Sequence, residues 1–226
     1  MLILAIDTSG QSGGIALAEA DAGSFRVVES AAIAGGTFSA QLIPTLAALL
    51  QKHGYTVKDL GGFAAASGPG SFTGLRVGLS AIKGLAETLH KPIATVSVLE
   101  ALASMADRTG TIASAIDAGR KEIFLGLYKK SDGALVMLRE ELLTQQDFLA
   151  TLATERPAVI ITADAAIAEL AASLQPAVAV VTSPGSEVIA RIGARKLLAG
   201  EIVSVEALDA NYLRRSDAEI FFKGNR

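Results

Sequence analysis

What most constrains this chain is an order of elements that it runs through twice. Three strand-like stretches come first, Leu2–Thr8, Gly14–Glu19 and Phe25–Ile33, rich in Ile, Val and Ala and punctuated by Gly, Ser and Asp. A helix is predicted from about Ser39 to His53, then a short strand at Phe63–Ala66, a helix over Thr73–Leu89, a strand at Ile93–Val96 and helical sequence from Val98 to Ala106. The second pass reads strands at Thr111–Asp117, Glu122–Tyr128 and Leu135–Glu140, followed by a helix opening at Thr144. Thr144 with Asp147 three residues later fits an acidic capping box. A strand at Val159–Thr162, helical Ala165–Ala172, a strand at Val178–Val181 and a helix from Ser186 to Leu198 complete the chain, and Gly200 stands where such a helix ends.

Each half therefore reads β-β-β-α-β-α-β-α. Three meandering strands followed by alternating helix and strand make a mixed sheet with helices on its faces, an α/β fold. The repetition is one of pattern, not of letters. The organisation resembles the actin, heat-shock-ATPase and sugar-kinase superfamily, built on two RNase-H-like lobes. On that reading the lobes are 1–108, carrying the two long helices, and 109–226, with the boundary near Arg108–Thr111.

Composition narrows the function. Half of the 226 residues are hydrophobic, enough for a full core. No apolar run of about 18 residues lacks a charge or a strong breaker, so no membrane span is expected. The start, MLILAID, has no basic segment and carries Asp7, which reads as a first strand and not as a signal peptide. The absence of cysteine excludes disulfides, thiolate zinc sites and cysteine nucleophiles, and fits a reducing, cytoplasmic setting. His53 and His90 are far apart, with no HxxxH or HExxH spacing, so no metal site is expected. Each follows a helix, where a cation suits the dipole. Net charge is −3, and neither half is basic: residues 1–110 hold 7 Lys and Arg against 8 Asp and Glu. Nucleic-acid affinity rests mainly on neutralised phosphates, so any RNA would be held by a partner. Arg214, Arg215, Lys223 and Arg226 are offset by Asp217 and Glu219 and read as an ordinary solvated tail.

Two loops could carry chemistry. Asp7, Thr8 and Ser9 end the first strand and enter a turn running from Gly10 to Gly14; Asp117 and Gly119 hold the corresponding place in the second half. In a phosphotransferase of this superfamily such carboxylates would hold hydrated Mg²⁺ beside a nucleotide. Equally, Asp and Thr at a strand end bond to turn backbone and fix the loop. The rest of an ATP site is missing: there is no GxxxxGK[ST], and Arg120 and Lys121 stand where a glycine-rich phosphate loop is wanted. No catalytic residue and no cofactor is assigned, and ATP binding by this chain alone is expected to be weak or absent. An independent ATP-binding ATPase or kinase is the alternative.

The other loop is Ser67–Arg76, SGPGSFTGLR, between a short strand and a helix. Gly68, Gly70, Ser71 and Thr73 shape a turn in which Ser71 or Thr73 caps the helix, and the free amides of such a terminus can take an anion. The same residues also make a tight capped turn with no ligand. The helix that follows has an apolar face of Leu75, Leu79, Ile82, Ala86 and Leu89, while Gly74, Gly78, Ala81 and Gly84 keep its remaining surface small. The preceding helix carries two stripes, Leu42, Leu46 and Leu49 beside Ile43, Ala47 and Leu50, with Pro44 expected to kink it near its start. A surface helix needs one stripe for its own core. A surplus of large aliphatics predicts a partner interface at Leu42, Ile43, Leu46, Leu49, Leu50, Gly74, Leu75, Gly78, Leu79 and Ile82. The competing reading buries both stripes inside the lobe.

Taken together, ILAIDTS at Ile3–Ser9, the Leu42-Ile43-Pro44 helix, SGPGSFTGLRVGLSAIKGLA at Ser67–Ala86, the Pro92–Ser97 strand, IDAGRKEIFLGLY at Ile116–Tyr128 and Tyr212-Leu213-Arg214 resemble the TsaB (YeaZ) family. The resemblance spans nearly the whole chain, and the GPGSFTGLR string is highly specific. It implies a non-catalytic subunit in threonylcarbamoyladenosine modification of tRNA, stabilising the catalytic paralogue TsaD through the two helices. It also implies TsaE in a larger complex, self-association when TsaD is missing, and tRNA reached only indirectly. Relatives have been labelled glycoproteases, but no protease constellation is visible. Two departures stand out: Phe38 precedes Ser39 where the family often has His, and Gly119 is an extra residue between Asp117-Ala118 and Arg120.

Overall fold

The computed structural model describes residues 1–174, 177–211 and 213. The chain divides into two compact units, Met1–Ala101 with Pro184–Ala210, and Leu102–Ser183 with Asn211–Arg226.

The first unit holds β1 (Leu2–Asp7), β2 (Ser12–Ala20), β3 (Phe25–Ala34), α1 (Phe38–Lys52), β4 (Leu60–Gly68), α2 (Phe72–Leu89) and β5 (Ile93–Ser97), and α3 (Val98–Ser104) begins in it. Its sheet runs in the order β3-β2-β1-β4-β5. The first three strands are antiparallel, and β4 and β5 join β1 in parallel. Side chains alternate across a strand, and both faces of this sheet are covered. Leu2, Leu4 and Ile6 of β1, with Phe63 and Ala65 of β4, share one core with Leu42, Leu46, Leu49 and Leu50 of α1 and Leu75, Leu79 and Ile82 of α2. The intervening Ala64 faces the other way, and there a last helix, α6 (Ser186–Ala199), comes so close that a Cβ on Gly193 would overlap the Ala64 Cβ. β1 is consequently buried at every residue.

The second unit repeats the plan. It holds β6 (Gly110–Gly119), β7 (Glu122–Ser131), β8 (Ala134–Thr144), α4 (Gln145–Glu155), β9 (Val159–Thr162), α5 (Ala165–Ala172) and β10 (Val178–Val180). Its sheet order, β10-β9-β6-β7-β8, is the first order read from the other edge. Phe148 and Leu152 of α4 and Ile167 and Ala171 of α5 cover Ala113, Ala115, Ile123, Leu125 and Leu127. These are the two RNase-H-like lobes expected from the duplicated pattern.

Local signals operate as physical chemistry requires. The Thr144 hydroxyl accepts the Asp147 amide at 3.1 Å and starts α4. Gly200, at φ 76°, ends α6 in the left-handed region that glycine tolerates. The fold departs from the expected lobe limits in two respects: the first unit gives way to the second after Ala101, ahead of the expected 108/109, and the last helix changes unit. With a boundary at 108/109, the helix from Ser186 would belong to the second lobe, yet α6 returns to the sheet of the first unit. Its Lys196 reaches the Thr95 carbonyl at 3.0 Å and the Glu100 carboxylate at 2.6 Å, and Leu197 lies over Gly62. Gly62 and Gly193 provide the room. β4 is also longer than the expected Phe63–Ala66: Gly61, Gly62 and Gly68 resemble breaks in the sequence but lie within the strand.

Candidate functional site

The strings ILAIDTS and SGPGSFTGLR meet where β1 ends and α2 begins. At the end of β1 the Asp7 carboxylate accepts the Ser9 amide at 2.9 Å and the Ser9 hydroxyl at 2.6 Å, closing a small turn on itself. Thr8 donates its hydroxyl to the Gly74 carbonyl at 2.7 Å. Opposite, the Ser71 amide donates to the Ser9 carbonyl at 2.7 Å, and the Ser71 hydroxyl caps α2 by accepting the Gly74 amide. The glycines of GPGSFTGLRVG make this approach feasible. A Cβ on Gly74 would overlap the Thr8 carbonyl oxygen, one on Gly78 the Thr8 hydroxyl, and one on Gly70 the Ser9 carbonyl. Gly68 joins Pro69 through a cis peptide bond.

Asp7, Thr8 and Ser9 are all buried. Burial pushes the Asp7 carboxyl above its usual range, and the bonds from Ser9 only partly oppose that. The Ser71 amide and hydroxyl are already engaged within the protein. The turn expected as an anion cradle is, in this geometry, a seam between β1 and α2, with Gly70, Ser71 and Thr73 at its exposed rim. At that rim the Arg76 guanidinium lies 3.8 Å from the centre of the Phe72 ring. In the second unit Asp117 is exposed and accepts the Gly119 amide at 3.0 Å. This is the backbone-fixing role of a strand-end carboxylate. Among the described residues no group of three or more His, Cys, Asp or Glu is placed to hold a metal ion.

The expected interface residues come out differently from the expectation. Leu42, Leu46, Leu49 and Leu50 of α1 and Gly74, Leu75, Gly78, Leu79 and Ile82 of α2 are all buried, and all of these leucines and Ile82 belong to the core of the first unit. They offer no surface to a partner. The reason is geometric: α1 lies against both the sheet and α2, so the stripe of Leu42, Leu46 and Leu49 enters one core together with Leu50 of the second stripe, while Ile43 and Ala47 of that second stripe stay outside. Ile43 alone of the set is exposed, at 53%. Around it α1 exposes Ala40, Pro44, Ala47 and Ala48, while α2 exposes Ser80 and Gly84. α1 is a continuous helix across Pro44, which lies on the exposed side. The exposed positions of the two helices thus include several small residues and one large aliphatic, beside the larger Gln41, Phe72 and Arg76. Stripe counting finds Ala47 but passes over Ala40, Ala48 and Ser80, because small residues carry little hydrophobic signal. Gly84 was the available clue, an interior helix glycine whose Cβ would meet nothing within 4 Å.

Both departures from the family pattern have local explanations. Phe38 is buried at the start of α1, its ring filling the space beside Gly13. Gly119, at φ 71°, sits at a register irregularity of the β6–β7 pair, just before the turn residues Arg120 and Lys121. His53 and His90 are the C-terminal cap residues of α1 and α2, and His53 pairs with Glu29 at 2.7 Å. Tyr212, Arg214 and the charged residues of the tail lie outside the described residues.

Fold and site together define a duplicated RNase-H-like protein with β1 and α2 locked through glycine contacts. A family model described as "TsaD: tRNA N6-adenosine threonylcarbamoyltransferase" matches residues 32–221. The tRNA threonylcarbamoyladenosine biosynthesis protein TsaB of Bacillus subtilis is 38% identical over 136 residues, covering 60% of this chain and 58% of that protein. The chain thus spans a little over half the length of that curated relative. YeaZ from Pseudomonas aeruginosa superposes with a TM-score of 0.74 at 25% identity, over 93% of this chain and 99% of that one. A crystal structure of an uncharacterized protein with similarity to peptidase YeaZ from Pseudomonas aeruginosa gives 0.72 at 28% identity, over 94% and 99%. The chain belongs to the family that the TsaD model describes and, within it, to the TsaB (YeaZ) branch.

Proposed function

We propose that this chain is a non-catalytic subunit of a tRNA threonylcarbamoyladenosine machine, and that it binds and stabilises a TsaD protein through the outer face of α1 and α2. The observation that carries this reading is the exposed side of these helices: Ile43 is 53% exposed, and Ala40, Ala47 and Ala48 of α1 and Ser80 and Gly84 of α2 are exposed as well. Small residues let a partner helix approach closely, and a central aliphatic is the kind of anchor on which binding energy concentrates. The match to a TsaD family model supports a partner of the same fold, as expected of two paralogues that share an interface. TsaE in a larger complex, self-association through the same face, tRNA contacted indirectly and a cytoplasmic setting complete the proposal. Among the described residues no helix is long and apolar enough to cross a membrane.

A non-enzymatic role agrees with the way the two best-placed carboxylates are used, Asp7 by Ser9 and Asp117 by Gly119. Reconstituted threonylcarbamoyl transfer tests the reading. TsaD with its other components is expected to modify tRNA only when this chain is added, and Asp7→Asn with Asp117→Asn is expected to support transfer as the unaltered chain does. Transfer by TsaD components without this chain, or hydrolysis of ATP by this chain alone that the double substitution abolishes, would reject it.

A further inference from the structure

Two kinds of contact seat α2. Leu75, Leu79 and Ile82 bury its inner side in the core of the first unit. Hydrophobic burial is non-directional, so it fixes the rotation and axial position of a helix less sharply than a hydrogen bond does, which is narrow in distance and angle. Two such bonds run between the end of β1 and the start of α2. The Ser71 amide donates to the Ser9 carbonyl at 2.7 Å, and the Thr8 hydroxyl donates to the Gly74 carbonyl at 2.7 Å.

The Thr8 bond is made from the inside of the lobe. A helix carbonyl at position 74 accepts the amide one turn further on, and its second lone pair is the one open to Thr8. Thr8 is buried, and two glycines one turn apart leave a notch for it. A Cβ on Gly78 would overlap the Thr8 hydroxyl oxygen, and one on Gly74 the Thr8 carbonyl oxygen. Alanine at either place would favour the helix but close the notch.

We infer that Thr8 is a positioning residue for the partner face, its hydroxyl setting the rotation and axial register at which α2 presents Ser80 and Gly84. This role rests on the proposed binding of TsaD. Gly84 lies about 15 Å along the helix from Gly74, out of reach of any direct effect of Thr8. A rotation of about 20° displaces an atom on the helix surface by about 2 Å, whereas a binding constellation has to be held within about 0.5 Å or 10–20°. A valine methyl comes no nearer to the Gly74 carbonyl than about 3.3 Å, so Thr8→Val deletes the bond and also moves α2 outward.

Thr8→Val, Thr8→Ala and Thr8→Ser in the full chain test this with two readouts. One is the backbone amide resonances of Ser80 and Gly84 in the free protein. The other is affinity for TsaD by calorimetry, below the thermal midpoint of every variant. Thr8→Ala deletes the bond without the displacing methyl and decides the matter if the valine variant does not fold. Both are expected to shift the two resonances and to lower affinity by about fivefold or more, the loss of one net hydrogen bond. Thr8→Ser keeps the hydroxyl and is expected to leave the resonances in place and the affinity within about twofold. A merely structural Thr8 would lower the thermal midpoint and leave the affinity of the folded variants unchanged, and that result would overturn the inference. Affinity lost with both resonances in place, or lost equally in Thr8→Ser, would overturn it too. An unaltered chain that itself fails to bind TsaD would instead reject the proposed function, and this role with it.

Discussion

At the scale of single residues, the glycines of α2 separate two roles that look alike in the sequence. Gly74 and Gly84 are both interior helix glycines, but one is pressed against the Thr8 carbonyl and the other faces open space. Gly74→Ala is therefore expected to destabilise the protein by roughly 1–3 kcal/mol, as overpacking does. Gly84→Ala is expected to stabilise it by about 1 kcal/mol through helix propensity. Urea unfolding of both variants checks the pair; equal effects would mean that the seam between β1 and α2 is not built as described. Asp7 gives a second test. Its carboxyl is pushed above the usual range by burial, so the folded state holds the proton more tightly than the unfolded one. Stability from this group is fully present below the usual carboxylate value and falls as the pH rises through the folded pKa. Asp7→Asn keeps an oxygen for Ser9 and removes the charge, so it is expected to be more stable than the unaltered protein at neutral pH. The gain should vanish below the usual carboxylate value, and parallel stability–pH curves for the two proteins would contradict this.

At the scale of elements, the order of strands and helices was legible because each carries its own period and its own stops. Thr144 opens α4, Gly200 closes α6, and Ile, Val and Ala runs mark the strands. Destinations were less legible. Nothing in the period of α6 says which sheet it joins; Gly193 and Gly62 decide that only once the Cβ of Ala64 and the side chain of Leu197 are opposite them. The stripes of α1 were read correctly as apolar, but an apolar stripe does not say whether α2 or a partner will cover it. Leu42 and Leu46 are covered from within, and Ile43 is the residue left out. The β6–β7 turn supplies an element-scale prediction. Arg120 and Lys121 both adopt positive φ, 57° and 62°, in a two-residue turn where glycine and asparagine are the usual occupants. Lys121→Gly is expected to stabilise the protein by roughly 0.5–1 kcal/mol. An unchanged or lowered urea midpoint would show that the lysine side chain contributes more than its backbone costs.

At the scale of the whole molecule, two copies of one lobe plan serve different ends. The first unit is covered on both sheet faces and exposes several small residues and Ile43 on α1 and α2, while the second exposes an edge at β8. The motif that looked most like a phosphate loop, SGPGSFTGLR, locks α2 to β1 and thereby fixes the position of the helix that presents Ser80 and Gly84. On this account glycine packing inside the lobe and partner binding outside it are two consequences of one string. Leu46 and Leu79 are unsuitable probes of the interface, because both lie in the core and charging either would unfold the lobe. The direct measurement is the affinity of the chain for a TsaD protein, by calorimetry or native mass spectrometry, with the double variant Ile43→Arg and Gly84→Arg beside the unaltered chain. Both positions are exposed and Arg replaces a helical glycine at 84, so the variant is expected to stay folded with a thermal midpoint no lower than that of the unaltered chain. Its affinity is expected to fall by roughly 30-fold or more, the loss of one strong anchor. An unchanged affinity in a folded variant would contradict the account.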